Sequence, residues 1–196
     1  MGELAVAEPP DYPSLNLCAA ISLGGGAPIL SGRPRGAELL AAVVARLGEN
    51  PEPSATPLDL AGITFIDVSC ADELLNKLLR RLRSGEMGRR YVFLQGGNPS
   101  VTETVETVLR LRGLSVLAKV GGDGIAVLGE LAQPMREALD VLLREKALTS
   151  AELATTLGKN TNVVCNRLNA LQRQGLACRQ RADGAGGRRY AYLSIL

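Results

Sequence analysis

Residues 149–158 read Thr149-Ser150-Ala151-Glu152-Leu153-Ala154-Thr155-Thr156-Leu157-Gly158. Residues 159–175 read Lys159-Asn160-Thr161-Asn162-Val163-Val164-Cys165-Asn166-Arg167-Leu168-Asn169-Ala170-Leu171-Gln172-Arg173-Gln174-Gly175. The first segment predicts a short helix, with Thr149 or Ser150 as N-cap, Glu152 as capping-box partner and Gly158 as stop. The second predicts a longer helix whose Val164, Leu168 and Leu171 share one face at i, i+4 and i+7. Its other face carries Asn162, Asn166, Asn169 and Arg173. Beyond Gly175, residues 176–181 and 188–195 read as two strands around an Arg- and Gly-rich turn at 183–187. Helix, tight turn, amphipathic helix and basic hairpin form one small unit, opened by a helix over 134–146 whose Met135, Leu139, Leu142 and Leu143 lie on one face.

Charge separates this unit from the rest. Residues 1–133 hold twelve Lys and Arg against fifteen Asp and Glu, a net of −3, whereas residues 134–196 hold ten against five, a net of +5. A basic tail on an acidic body points to a polyanionic partner, or else to a solvated basic face. Aromatics make up only 3% of the chain, so the core has to be aliphatic.

The chain has no histidine, and Cys18, Cys70, Cys165 and Cys178 lack the close spacing of a zinc site. No catalytic residue, cofactor or metal site is expected. Residues 1–13, with Pro9, Pro10 and Pro13, read as a flexible lead-in without the basic, then apolar, pattern of a signal peptide. No run approaches the roughly 20 apolar residues of a membrane span. The reading is therefore of reduced thiols, a cytoplasmic location and no membrane partner.

Between the two ends, strands and helices alternate. Residues 14–21 predict a strand, Gly24-Gly25-Gly26 a hairpin turn, and 27–30 its return. A helix follows over 37–47, then a polar loop over 50–57. A buried strand is predicted at 58–65, a helix at 70–82 with Leu74, Leu75, Leu78, Leu79 and Leu82 inward, and a strand at 91–94. Pro99 opens a helix over 99–111. Strands at 115–120 and 125–128 flank the turn 121–124. Continuous apolar strands each followed by a helix imply an α/β sandwich with a mixed, partly parallel sheet over 14–130. The smaller α+β unit over 134–196 follows it. Residues 95–100, Gln95 to Ser100, read as an ordinary strand-to-helix turn or as a weak anion site.

The run Leu58-Asp59-Leu60-Ala61-Gly62-Ile63-Thr64-Phe65-Ile66-Asp67-Val68-Ser69-Cys70-Ala71-Asp72-Glu73-Leu74-Leu75 resembles the central motif of STAS domains, the fold of bacterial anti-sigma factor antagonists. The Ala71-Asp72-Glu73 triplet and the Ser31-x-Arg33 stretch resemble a divergent STAS-like group. The resemblance covers about 14–130. It implies a domain that binds a protein kinase or an anti-sigma factor, with Ser69 at the phosphorylated position and Asp67 as the acidic residue before it. Val68 and Cys70 depart from the small residue and glycine of that motif. Two readings of Ser69 stand: a phosphate accepted at a helix N-terminus, or a plain N-cap paired with Asp72. Cys70 reads as a thiol activated by the helix N-terminus or as a small buried hydrophobe.

Residues 134–196 resemble winged helix-turn-helix regulators of the MarR- and ArsR-type groups, through Leu168-Asn169-Ala170-Leu171-Gln172-Arg173-Gln174-Gly175-Leu176 at the end of the second helix. The resemblance implies binding to double-stranded DNA as a homodimer. Asn pairs with adenine and Arg with guanine in the major groove, and the first turn of the helix enters deepest. That assigns Lys159, Asn160, Thr161, Asn162 and Asn166 to bases, and Arg167 and Arg173 to bases or phosphates. In the hairpin, Arg179, Arg181, Arg188 and Arg189 would meet phosphates or the minor groove. The expected function is a DNA-binding transcriptional regulator whose STAS-like part senses a signal or partner. The alternative is a partner-switching adaptor that uses the winged helix for protein contacts.

Overall fold

The computed structural model describes residues 14–122, 124–182 and 189–196. The expected lead-in, the turn centre Asp123, and the hairpin tip with Arg188 lie outside the described residues. The structure is a mixed α/β protein: a mostly parallel sheet flanked by helices.

The elements follow in chain order. Strands β1 (Asn16–Leu17), β2 (Ile21–Ser22) and β3 (Ile29–Leu30) precede helix α1 (Gly32–Glu49). Strand β4 (Ser54–Asp59) and strand β5 (Phe65–Ile66) lead into a helical segment that begins as α2 (Val68–Ala71), widens into a π turn over Asp72–Asn76, and continues as α3 (Lys77–Ser84). Then come β6 (Arg90–Gln95), α4 (Pro99–Leu111), β7 (Ser115–Val120) and β8 (Gly124–Gly129). The last third holds α5 (Gln133–Glu145), β9 (Ala147–Thr149), α6 (Ser150–Leu157), α7 (Thr161–Arg173), β10 (Ala177–Ala182) and β11 (Arg189–Ser194).

The main sheet runs β1/β2-β4-β6-β7-β8. All neighbours pair parallel except β7 with β8. Both faces of the central strands are buried, which explains their uninterrupted apolar runs. Leu58, Val92, Leu94, Val116 and Ala118 face one way, against Leu40 and Val43 of α1, Leu75 and Leu78 around the π turn, and Val105 of α4. Ala55, Tyr91, Phe93 and Leu117 face the other way, into a core shared with Leu139 and Leu142 of α5, Leu168 and Leu171 of α7, and Tyr192 of β11. The last third of the chain is thus the second coat of the sheet.

Two corrections concern strands. Residues 14–30 do not form a hairpin: β3 pairs parallel with β5, Ile29 opposite Phe65 and Leu30 opposite Ile66. The strand predicted at 58–65 starts earlier, at Ser54, and ends at Asp59, so the loop reading of 50–57 fails over its second half. Pro57 misled the reading, because proline rarely occupies a central strand. Its place is explained by the neighbour. Ala55 accepts from the amide of Cys18, and Asp59 from that of Leu23. By the alternation of a parallel strand the nitrogen of Pro57 points the same way, into the break between β1 and β2. No donor is demanded there.

The last third forms helix, strand, helix, helix and an antiparallel pair. β11 lies between β10 and β9 in a three-stranded sheet; β9 was not anticipated from sequence. Thr149 caps α6 in a full capping box with Glu152. Gly158 ends the helix at φ 60°, a left-handed conformation suited to glycine.

Candidate functional site

Two exposed regions collect the residues singled out above, one at the start of α2 and one along α7.

At the first, Asp67 is the cap. Its Oδ1 accepts the amide of Cys70 at 2.7 Å, and its Oδ2 accepts the amide of Gly32 at 2.7 Å and the hydroxyl of Ser31 at 2.5 Å. These bonds, with the Ser31 hydroxyl foremost, hold the Asp67 carboxyl below its ordinary pKa. The N-cap reading of Ser69 is therefore corrected: Ser69 lies inside the first turn of α2 and is exposed. Its supposed capping partner is engaged elsewhere. Asp72 sits in the π turn and is gripped by Arg112 from the end of α4, at 2.7 and 2.8 Å, which lowers its pKa. Glu73 beside it is buried and paired with Lys77 and Arg33.

Ser69 thus opens onto a shallow hollow of about 100 Å³ with Arg33, Asp72, Leu111 and Arg112 around it. Val68, Phe65 and Leu111 are large exposed apolar side chains, 49%, 48% and 71% accessible, and Ile29 lies opposite Phe65 in the small parallel pair. Cys70 is fully buried. Burial, aided by the Asp67 charge, pushes its thiol up to about 11, the reverse of an activated helix-terminal thiol.

The second region is the outward face of α7 and the segment before it. Lys159, Asn160, Thr161, Asn162, Asn166 and Arg173 are all exposed. Asn160 is also the N-cap of α7, its side chain accepting the amide of Asn162 at 2.8 Å. Val163 on the same face is also exposed, an apolar side chain among the polar ones.

Other assigned residues are occupied. Arg167 is largely covered and bonded to Glu137 of α5 at 3.3 Å. Arg179 lies over the ring of Tyr190, 3.7 Å from its centre, and its Nη1 donates to Asn169 at 3.3 Å. Asn169, placed on the outer face by its spacing, turns inward instead. Its Oδ1 accepts the hydroxyl of Tyr192 at 2.8 Å. Arg181 is exposed on β10, and Arg189 opens β11. The described residues contain no group of three or more His, Cys, Asp or Glu side chains suited to a metal ion, and no helix long and apolar enough to cross a membrane.

A third feature was not legible in the sequence. Arg83 of α3 reaches across to the end of α7. Its Nε donates to the carbonyl of Gln174 at 3.2 Å, and its Nη2 donates to the carbonyl of Ser115 at 3.1 Å. Ser115 Oγ in turn donates to Gln174 Oε1 at 3.1 Å.

Compared with known proteins, the chain matches no family model and no curated protein.

Proposed function

We propose that the chain is a DNA-binding transcriptional regulator. In this reading residues 14–130 are a STAS-like domain that receives a signal or a partner. Residues 134–196 are a winged helix-turn-helix that reads operator DNA, α7 entering the major groove and the β10–β11 hairpin lying against the backbone. The observation that carries it is the outward face of α7, where Asn162 and Asn166 stand exposed one helical turn apart beside Lys159 and Thr161. Asparagine amides present both the donor and the acceptor that adenine requires. The net positive charge of the last third supports the same reading. A homodimer in the cytoplasm fits two half-sites.

The test is a gel shift on DNA from upstream of the protein's own gene, across a salt series. Binding should weaken steeply with salt, and Asn162→Ala or the pair Arg188→Ala and Arg189→Ala should weaken it further. Binding indifferent to both substitutions counts against the reading.

A second reading is favoured by the region around Ser69. An exposed hydroxyl at the start of a helix, flanked by Arg33 and Arg112 and bordered by Phe65, Val68 and Leu111, suits a protein partner. The chain would then be an adaptor that binds a GHKL-type protein kinase or an anti-sigma factor, and its winged helix would make protein contacts. Co-purification of such a partner by a chain with no DNA affinity supports it. Ser69 left unlabelled by a cognate kinase removes its phosphorylation step.

A further inference from the structure

Between α3, the amino ends of β6 and β7, and the last turn of α7 lies a cavity of about 310 Å³. Its apolar wall is Leu79, Leu82, Val92 and Val116, and its polar wall includes Arg83, Arg89 and Gln174. That volume lies in the range of small-molecule pockets, and an apolar lining with a few convergent polar groups is their usual composition.

The charge in it is only partly compensated: Glu52 accepts the backbone amide of Arg89 at 2.7 Å, and no carboxylate bonds to Arg83 among the described residues. Two cations nearby are ion-paired, Arg90 with Glu52 at 2.7 Å and Arg81 with Glu86 at 3.6 Å, whereas Arg80 donates to the neutral side chain of Asn76. Arg83 and Arg89 form no ion pair with a described residue. Arg83 is half-buried, and its Nε and Nη2 are satisfied by carbonyl and hydroxyl oxygens alone. Its Nη1 has no partner among the described residues. Burial, with Arg80 nearby, disfavours its charged form, which is the expected signature of a cation lacking its counter-ion. A half-buried guanidinium at the mouth of an apolar cavity is a receptor for a carboxylate.

We propose that this cavity binds a small amphiphilic carboxylate, the anion held by Arg83 and Arg89 and the apolar body lying on Leu79, Leu82, Val92 and Val116. A monoanion suits the site better than a phosphate dianion, because the Glu52 carboxylate beside Arg89 offsets part of the charge of the two arginines. The ligand would touch Gln174 and Gly175, which close α7. It would therefore act on the helix that reads DNA, and this last step rests on the proposed function; the binding itself does not.

The test uses the full chain without DNA. 2-Naphthoate, its neutral isostere 2-naphthamide and inorganic phosphate are titrated by calorimetry, with amide chemical shifts followed in parallel. Saturable binding of 2-naphthoate is expected, at least about ten-fold tighter than that of 2-naphthamide, since hydrogen bonds to a charged group are stronger than those between neutral ones. Shifts should centre on Ser115, Gln174 and Gly175. Arg89→Ala, an exposed position, should weaken binding several-fold while the melting temperature stays put. Leu82→Trp should abolish it by filling the cavity, with circular dichroism verifying the fold. No saturation at millimolar 2-naphthoate, equal binding of the amide, or shifts located elsewhere would each overturn the proposal. Phosphate binding as tightly as naphthoate would overturn the assigned ligand class. Loss of DNA binding in a separate gel shift would leave these outcomes unchanged.

Discussion

Arg112 closes on Asp72 from forty residues away, Nε to Oδ1 at 2.7 Å and Nη2 to Oδ2 at 2.8 Å, and so ties the end of α4 to the π turn. Asp72 is nearly covered, whereas Arg112 is half-exposed. The bond depresses the Asp72 pKa, so its stabilising effect is fully present above the unfolded carboxyl value of about 4 and is lost as pH falls through the lower folded value. Arg112→Gln should therefore lower the urea midpoint at pH 7. The gap between variant and parent should narrow as the pH is taken below the unfolded carboxyl value and on through the lower folded one. A gap that stays constant with pH would assign the loss to packing rather than charge.

Two glycines of α1 should respond to alanine with opposite signs. A Cβ at Gly36 would stand 2.7 Å from the carbonyl oxygen of Cys70 and 2.7 Å from Cβ of Glu73, where α1 crosses the start of α2. Gly36→Ala should cost about 1–3 kcal/mol through overpacking. Gly48, near the end of the same helix, meets nothing within 4 Å. Gly48→Ala should gain about 0.5–1 kcal/mol from reduced chain entropy. Chemical denaturation of the two variants gives both values.

Asparagines 162 and 169 should separate recognition from stability. Asn162→Ala should leave the melting temperature unchanged and, on the proposed function, cost about 1–3 kcal/mol of discrimination between DNA sequences. Asn169→Ala strips the partner of Tyr192 and Arg179. It should lower stability by about 1–3 kcal/mol. A melting curve and a gel shift on each variant decide the assignment.

Thiol labelling of the native protein at pH 8 should modify Cys18 and Cys165 first. Both are partly accessible, whereas Cys70 and Cys178 are buried with raised pKa values. The buried pair should react only after denaturant is added. Rapid native modification of Cys70 would contradict its placement under α1.

What could be read in advance was local. The capping box of Thr149 and Glu152 and the inward leucines of α3 and α7 depend on residues three or four apart, and sequence spacing displays those directly. The errors came from partners far along the chain. β3 and β5 are two residues each and find one another across thirty-six positions, so the nearby glycines suggested a hairpin instead. Ser69 looked like a cap because nothing in its own segment reveals that Ser31 and Gly32 come to Asp67. Asn169 sits at an outer-face spacing, yet Tyr192 and Arg179 arrive from β11 and β10 and draw it inward. The cavity beside Arg83 was invisible for the same reason: its walls come from α3, β6, β7 and the end of α7.

The shared core behind the sheet has a bearing on the order of synthesis. Tyr91, Phe93 and Leu117 leave the ribosome well before the helices that cover them, α5 and α7. Until those are made, one whole side of a nearly finished sheet is wet and adhesive, a natural target for chaperones. The apolar face of Tyr91, Phe93 and Leu117 has no cover until α5 and α7 have been made. A chain stopped before α5 would therefore carry an exposed apolar sheet face, and with it a liability to aggregate.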